Sequence, residues 1–219
     1  LELKSGKYIF EELKSFLIKN NLINKNWNAL NILIQNASTV GLLDLKILPD
    51  QKNNDFSFFE NIKNKKFKFL YLLGSDNLDF KKNDEFIVYQ GCHGDRGAEI
   101  ADIVLPSATY TEQNGLYANL EGRIQECKKA SYPVGEALED WKIFNRIINK
   151  ISHKDNLTNF NQLRKEVLDT IPNFFEMNQL PTFSETQGLK VESNFFSEEV
   201  LVRELDYYYT NSISRSSKT

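Results

Sequence analysis

The sequence predicts an α/β fold, an open and mostly parallel sheet flanked by helices, with an irregular C-terminal arm. Two apolar runs, Phe67–Leu73 and Phe86–Gln90, predict strands, because near-continuous apolar segments are typical of strands buried on both faces. Each run is followed by a glycine, which marks a turn. Segments with apolar residues at helical spacing alternate with these runs, and this alternation favours a parallel sheet.

The N-terminal part of the chain is predicted to be mostly helical. Apolar residues at helical spacing predict a helix over 8–20, with Ser5 as a possible cap. A second apolar stripe at that spacing follows Asn26 and covers 27–34, before Gly41 interrupts the pattern. The further predictions in this part are an apolar stretch at Leu42–Leu48, a polar linker at 50–55 and a short helix around Phe56, Phe59 and Ile62.

The second half of the chain is predicted to contribute one more strand and two strong helices. The strand is the short run Ile103–Leu105, and the helices cover 139–151 and 159–170. Glu139 and Asp140 lie in the first turn of the first of these helices, where a negative charge interacts favourably with the helix dipole.

The arm beyond Pro172 has weak periodicity but keeps its aromatic residues, as in Tyr207–Tyr209. A disordered tail would be expected to lose them, so we expect the arm to lie over the α/β body or a neighbouring subunit. The segment Asn211–Thr219 contains Arg215 and Lys218 but no acid, and we expect it to contact an acidic or carbonyl-rich surface. The predicted domains are an α/β domain over 1–152, incomplete at its N-terminal side, and a helix plus arm over 153–219.

Composition excludes several classes of protein. The chain has 219 residues and a net charge of −3, so it lacks the basic balance of a dedicated nucleic-acid binder. No apolar run approaches the roughly 20 residues of a membrane span. With two cysteines and two histidines, this chain alone cannot supply a four-ligand zinc site or a cluster with four cysteine ligands. So few cysteines also argue against a disulfide framework.

Two turns that follow predicted strands are candidates for a ligand-binding or catalytic site. The first, Gly74–Asn77, could be a degenerate nucleotide-binding turn, since ligands of open α/β sheets bind at the carboxyl ends of strands. It lacks a glycine-rich phosphate loop, and a plain turn with an Asx hydrogen bond is the favoured interpretation. The second, Gly91–Gly97, contains adjacent Cys92 and His93, which suggests a nucleophile.

The favoured interpretation of Gly91–Gly97 is structural. Adjacent side chains rarely face each other, and no second histidine lies nearby to act as a base. Its three glycines predict a tight turn into a helix at Ala98–Ala101, with Asp95 capping that helix or pairing with Arg96.

The dipeptides Asn114-Gly115 and Glu121-Gly122 predict two further turns around Leu116–Leu120. Glu121 and Arg123 could form a structural salt bridge, which we favour over an anion site, and Cys127 is expected to be an inert small residue on a strand edge. The sequence therefore assigns no catalytic, cofactor-binding or metal-binding residue to this chain.

Several short motifs occur together and in a characteristic order. They are Tyr89–Asp95 (YQGCHGD), Ala101–Pro106 (ADIVLP), Thr111–Gly115 (TEQNG), Asn119–Gln125 (NLEGRIQ), Glu139–Ile143 (EDWKI), the stretch from Trp27-Asn28 through Leu43–Leu45, and the terminal Tyr209–Ser217 (YTNSISRSS).

In this order the motifs resemble the molybdopterin-oxidoreductase-like domains, and the terminal motif resembles the end of one branch, the large iron–sulfur subunits of respiratory complex I. The resemblance spans most of 27–219 and is closest over 89–144. One departure is Cys92, at a position where the family usually has histidine.

The resemblance implies a non-catalytic scaffold region in the peripheral arm of that complex, supporting electron transfer from NADH to quinone. It implies no cofactor on this chain, because the family's iron–sulfur clusters belong to the N-terminal half of the subunit. The expected partners are that N-terminal half and other peripheral-arm subunits, without nucleic acid or a membrane span. We expect the chain to be the C-terminal portion of a split or fragmented subunit.

The expected location is the matrix side of the mitochondrial inner membrane, with the cytoplasmic face of a bacterial inner membrane as the alternative. Two other functions stay open. One is a piece of a molybdopterin-dependent oxidoreductase, although the terminal motif and the few residues left for a C-terminal barrel domain count against it. The other is a stand-alone nucleotide-binding module.

Overall fold

The computed structural model describes residues 5–24, 27–34, 39–47, 58–75, 80–152, 157–171, 177–180, 194–197, 199 and 212–217. The chain divides into two compact units, and each is built from two separate stretches. The first unit contains Leu1–Gln35 and Leu180–Leu205, and the second contains Asn36–Gln179 and Asp206–Thr219. The domain boundary expected at residue 152 stays a prediction.

The first unit is built on a single long helix, α1 (Gly6–Lys19), which confirms the helix predicted over 8–20. Ser5 occupies the N-cap position, but its hydroxyl makes no capping bond. The hydroxyl instead donates to the carbonyl of Phe196 and accepts from its backbone N–H, both at 2.8 Å. Tyr8 meets Phe195 edge-on at 5.7 Å between ring centroids, so this piece of the arm packs on α1 as predicted.

The apolar stripe over 27–34 does not form the helix that its spacing suggested. Trp27–Asn28 is a short strand, β2, paired antiparallel with β1 (Ile23–Asn24), and the following residues have no regular structure. The side-chain oxygen of Asn24 accepts from the Trp27 N–H at 3.0 Å, and that of Asn28 accepts from the Leu30 N–H at 2.9 Å. Such local bonds compete with helix formation, because they satisfy the backbone groups that would begin a helix.

Two short helices precede the sheet of the second unit. Gly41 lies inside α2 (Thr39–Asp44) rather than interrupting it, and its Cα faces Ala118, whose Cβ would lie 3.8 Å from an added side chain. The predicted helix near Phe59 and Ile62 is α3 (Phe58–Lys63). The linker predicted at 50–55 lies outside the described residues.

The parallel sheet of the second unit confirms the predicted fold class. In the described part of the chain it has three strands in the order in which they occur in the sequence, β3 (Phe69–Leu73), β4 (Phe86–Gly91) and β5 (Ile103–Pro106). Both neighbouring pairs are parallel, with Leu70 opposite Ile87 and Tyr89 opposite Val104. The main core covers one face of this sheet and consists of Ile62, Leu70, Leu72, Phe80, Ile87 and Tyr89.

The remaining elements surround this sheet. Glu121-Gly122 forms the predicted turn of a hairpin, with Gly122 at a φ of 80°, which glycine adopts without strain. Helices α5 (Asp140–Ser152) and α6 (Phe160–Thr170) confirm the two predicted at 139–151 and 159–170. No helix in the described part of the chain is long and apolar enough to cross a membrane. The elements are α4 (Arg96–Glu99), β6 (Gly115–Ala118), β7 (Ile124–Cys127), α5 (Asp140–Ser152), α6 (Phe160–Thr170) and α7 (Ser212–Ser216).

Candidate functional site

The carboxyl ends of the three parallel strands meet at one edge, which we call the carboxyl edge. It consists of Gly74-Ser75 after β3, the loop 91–95 after β4, and Ser107 after β5. Backbone bonds join these segments, from the Gly74 N–H to the Gln90 carbonyl at 2.8 Å and from the Ser107 N–H to the Gly91 carbonyl at 3.0 Å. Ligands of open α/β sheets bind at such an edge, so a ligand or catalytic site of this chain is expected there.

The carboxyl edge is packed from within by Tyr89. This side chain is 1% exposed, and its hydroxyl donates to the His93 carbonyl at 3.0 Å. A Cβ added to Gly97 would lie 2.6 Å from the Ser75 carbonyl oxygen and 2.8 Å from the Tyr89 ring. Gly97 therefore allows a close contact between protein segments, and the space beside it is filled by this chain.

The Cys92–His93 pair does come together, contrary to the expectation that adjacent side chains rarely meet. The Cys92 Sγ and His93 Nδ1 atoms lie 3.5 Å apart. Within the described residues, however, no group of three or more His, Cys, Asp or Glu side chains is placed to hold a metal ion. Cys127 ends β7, and its thiol contacts the Lys128 carbonyl at 3.9 Å. Asp76 and Asn77 of the candidate nucleotide turn lie outside the described residues.

Asp95 has two functions at the carboxyl edge. As predicted, it caps the following helix, where its carboxylate accepts from the Arg96 backbone N–H at 2.8 Å. Its ion pair is formed with Arg215, whose Nε lies 2.9 Å from the carboxylate, and not with the Arg96 side chain as the alternative prediction had it. The backbone bond from Arg96 and the side-chain bond from Arg215 lower the pKa of Asp95. This contact gives Arg215 the acidic partner that the composition of the terminal segment predicts; Lys218 lies outside the described residues.

A buried polar network lies on the side of the sheet that faces α5. Gln90 is fully buried and donates to the Asp140 carboxylate at 2.6 Å, while its side-chain oxygen accepts from the Tyr71 hydroxyl. Gln113 donates to the other Asp140 oxygen at 2.9 Å and accepts from the Asp140 backbone N–H at 3.1 Å. Burial, and then the negative charge of Asp140, raise the pKa of Tyr71. Both glutamines escape prediction from the sequence, because nothing in their local pattern distinguishes them from surface glutamines.

Glu139 lies immediately before α5 and binds different residues from those that bind Asp140. It is 4% exposed and accepts from the Trp141 indole N–H at 2.9 Å and from the Lys142 amine at 3.0 Å. Lys129 lies 3.5 Å away. Burial raises the pKa of this carboxyl, but the bonds from Trp141 and Lys142 outweigh it, so the pKa lies below its ordinary value.

The Glu121–Arg123 turn is structural. The Arg123 guanidinium donates to the Asn178 carbonyl at 2.8 Å, and Glu121 accepts from the Asn119 side chain at 3.3 Å. Among the described residues these two side chains do not pair with each other, so the predicted salt bridge between them is wrong. The guanidinium instead holds a segment of the arm against the hairpin.

The face of the sheet opposite the main core, which also carries the buried polar network, has an open apolar groove of about 400 Å³ between the strands and α5, which we call the apolar groove. Tyr71 and Phe144 meet at its floor with ring centroids 5.5 Å apart. Three large side chains at its sides stay exposed, Phe69 at 56%, Ile103 at 45% and Ile151 at 77%. The groove is lined by Phe69, Tyr71, Val88, Ile103, Leu105, Phe144, Ile147 and Ile151.

Comparison with known proteins finds one matching family and a consistent set of relatives. The model of the molybdopterin oxidoreductase family matches residues 1–150. The NADH-ubiquinone oxidoreductase 75 kDa subunit of Reclinomonas americana is 35% identical over 229 aligned residues, covering 100% of this chain and 32% of that protein. An NADH-quinone oxidoreductase subunit of the bacterium Rickettsia typhi is 37% identical, covering 92% of this chain and 28% of that protein.

A third relative is a protein named as mitochondrial. The NADH-ubiquinone oxidoreductase 78 kDa subunit of Candida albicans is 34% identical, covering 100% of this chain and 31% of that protein. The chain thus spans about a third of the length of these curated relatives. Neither the family match nor these alignments assigns a role to any residue of the carboxyl edge or the apolar groove.

Proposed function

Since the chain belongs to the molybdopterin oxidoreductase family, we propose that it forms the molybdopterin-oxidoreductase-like part of a large iron–sulfur subunit of complex I. In this role it is a structural scaffold of the peripheral arm and supports electron transfer from NADH to quinone without taking part in the chemistry. The support comes from relatives that bear the names of such subunits and align with nearly all of this chain.

The observation that carries the scaffold role is the apolar groove. Three of the large side chains that line it are each at least 45% exposed. Exposed apolar clusters of this kind mark interaction surfaces. The relatives extend well beyond the third of their length that aligns with this chain, and those further parts offer surfaces for such a contact. We therefore propose the rest of the subunit, together with other peripheral-arm subunits, as the partners.

A molybdenum–pterin cofactor is implied by the family name, but the residues at the carboxyl edge do not fit it. Such a cofactor carries phosphate, but the Arg215 guanidinium at this edge is already paired with Asp95. The space beside Gly97 is already filled by Ser75 and Tyr89. We therefore propose that this chain carries no redox cofactor and that the iron–sulfur clusters are bound by the remainder of the subunit.

We propose the matrix side of the mitochondrial inner membrane as the location, on the basis of the Candida albicans relative, which is named as a mitochondrial protein. The bacterial relative supports the cytoplasmic face of an inner membrane as the alternative.

The decisive experiment is to isolate the tagged chain from its source under mild detergent and to separate the product on a native gel. We expect the chain to migrate in a large assembly that reduces a dye with NADH. Migration away from every NADH-oxidising band would reject the proposal. Metal analysis of the same band tests the second candidate, a molybdopterin-dependent oxidoreductase, which the family match itself favours. Stoichiometric molybdenum would establish that candidate instead.

A further inference from the structure

Helix α7 contacts the carboxyl edge of the sheet. Residues Leu180–Leu205 belong to the first compact unit, whereas Asp206–Thr219 belong to the second unit with the sheet. Helix α7 lies in this last stretch, and its residues 213–215 are half-buried. The terminal helix therefore has a docking place on the body of the second unit.

The docking contact is an ion pair at the carboxyl edge. Arg215 Nε lies 2.9 Å from Asp95 Oδ2, across 120 residues of chain, and the two side chains are 23% and 34% exposed. Asp95 follows β4, where the general rule for open α/β sheets places a ligand. Tyr89 packs the loop after β4 through its bond to the His93 carbonyl, and Arg215 binds the carboxylate at the end of that loop.

We propose that α7 is a built-in clasp that occupies the carboxyl edge, with Arg215 binding Asp95 in place of an external ligand. The clasp joins the end of the chain to the loop after β4, and any ligand for this edge has to displace it. This inference uses only contacts within the chain and is independent of the assembly in which the chain works.

The test measures how fast a carboxypeptidase of broad specificity removes residues 212–217 from the full chain, followed by mass spectrometry. Asp95→Asn is the informative variant, because asparagine is as good a helix cap as aspartate but has no charge, and the digested segment is unchanged. We expect digestion through Arg215 to accelerate about two- to fivefold, the range for partly exposed ion pairs. Asp84→Asn is the matched control, since its carboxylate pairs with Lys65 at 3.3 Å but is 88% exposed; its rate should equal that of the wild type.

Two further measurements keep the outcome decisive. Raising the salt concentration should speed digestion of the wild type towards the Asp95→Asn rate and leave that variant unchanged, because salt screens the pair. In a double-mutant cycle, Asp95→Asn should add nothing to Arg215→Gln. Equal rates in Asp95→Asn and wild type, or additive effects in the cycle, would overturn the clasp. Circular dichroism identifies a variant that fails to fold, and the salt response of the wild type then decides.

Discussion

At the scale of single residues, the carboxyl edge depends on how closely Tyr89 packs against glycine. The tyrosine side chain is 1% exposed, and Gly97 allows it and the Ser75 carbonyl to approach the same point. The sequence pattern of three glycines in seven residues predicts a tight turn, but the structure shows that Gly97 is needed for a contact between segments. Gly94, by contrast, has open space around its Cα.

Gly97→Ala should destabilise the chain strongly. Its new Cβ would lie 2.6 Å from a backbone oxygen, which cannot rotate away as a flexible side chain can. We expect a loss of about 1–3 kcal/mol in the free energy of unfolding, as is typical of overpacking. The control is Gly94→Ala, where nothing lies within 4 Å. Denaturant titrations with equal midpoints for the two variants would contradict this account.

In the complex proposed above, Cys92→Ser and Cys127→Ser, alone or together, should leave the electron-transfer signals unchanged. The two thiols contact different groups, one a histidine nitrogen at 3.5 Å and the other a carbonyl at 3.9 Å. Electron paramagnetic resonance of the NADH-reduced complex is the measurement. Loss of a cluster signal in either variant would mean that this chain supplies a ligand, and the proposal of no cofactor would be abandoned.

At the scale of elements, the start of helix α5 has two neighbouring acids with different hydrogen-bond partners. Asp140 receives bonds from Gln90 and Gln113, and Glu139 receives bonds from Trp141 and Lys142. The sequence predicts both acids at a helix start, where the dipole favours them. The bond from Gln90 to Asp140 attaches the helix to the sheet, and this attachment positions one side of the apolar groove. The bonds of Glu139 to Trp141 and Lys142 stay within the start of the helix.

Glu139 should make stability depend on pH in the acid range. Its pKa in the folded chain is lowered, so its contribution is fully present above the pKa of the unfolded chain and is lost as the pH falls through the lowered folded value. Glu139→Gln should reduce stability at neutral pH by about 1–3 kcal/mol, the range for a lost charged hydrogen bond. The fall in stability at acid pH, the acid limb of the curve, should also become less steep in this variant.

The measurement for Glu139 is the thermal midpoint as a function of pH. Glu136→Gln is the matched control, since Glu136 is exposed and lies three residues earlier. An acid limb that is identical in Glu139→Gln and the wild type would rule out the role given to this carboxylate.

At the scale of the whole molecule, the two faces of the sheet differ in how far they are covered by other parts of the chain. One is covered by the core around Ile87, which is fully buried, and the other carries the apolar groove. Within the described residues β3 and β5 are the edge strands of this sheet. Exposed apolar surface beside an unpaired strand edge favours association.

The chain by itself should therefore not remain a monodisperse monomer. The triple variant Phe69→Ser, Ile103→Ser and Ile151→Ser should reduce self-association in light scattering, and it should also prevent incorporation into the native assembly. Val134→Ser is the control, because Val134 is 79% exposed but lies outside the groove. A wild-type chain that stays monomeric at high concentration, or a triple variant that assembles normally, would refute this use of the groove.

Elements with a local signal could be predicted from the amino-acid sequence. The strands around Leu70 and Ile87 and the helix beginning at Asp140 belong to this group, because apolar runs and amphipathic spacing are patterns of consecutive residues. The predicted burial on both faces is wrong for β3, where Phe69 is 56% exposed. The family could likewise be predicted, since its motifs are short and contiguous.

Contacts between distant residues required the folded chain. The stripe over 27–34 has helical spacing, but asparagine side chains accept hydrogen bonds from the backbone N–H groups there. These bonds compete with helix formation, and the spacing of apolar residues alone does not reveal it. Gln90 and Asp140 are 50 residues apart, and Asp95 and Arg215 are 120 apart. Hydrogen bonds and ion pairs depend on distance and direction in space, which local patterning does not encode, so the polar network and the clasp appear only in the tertiary structure.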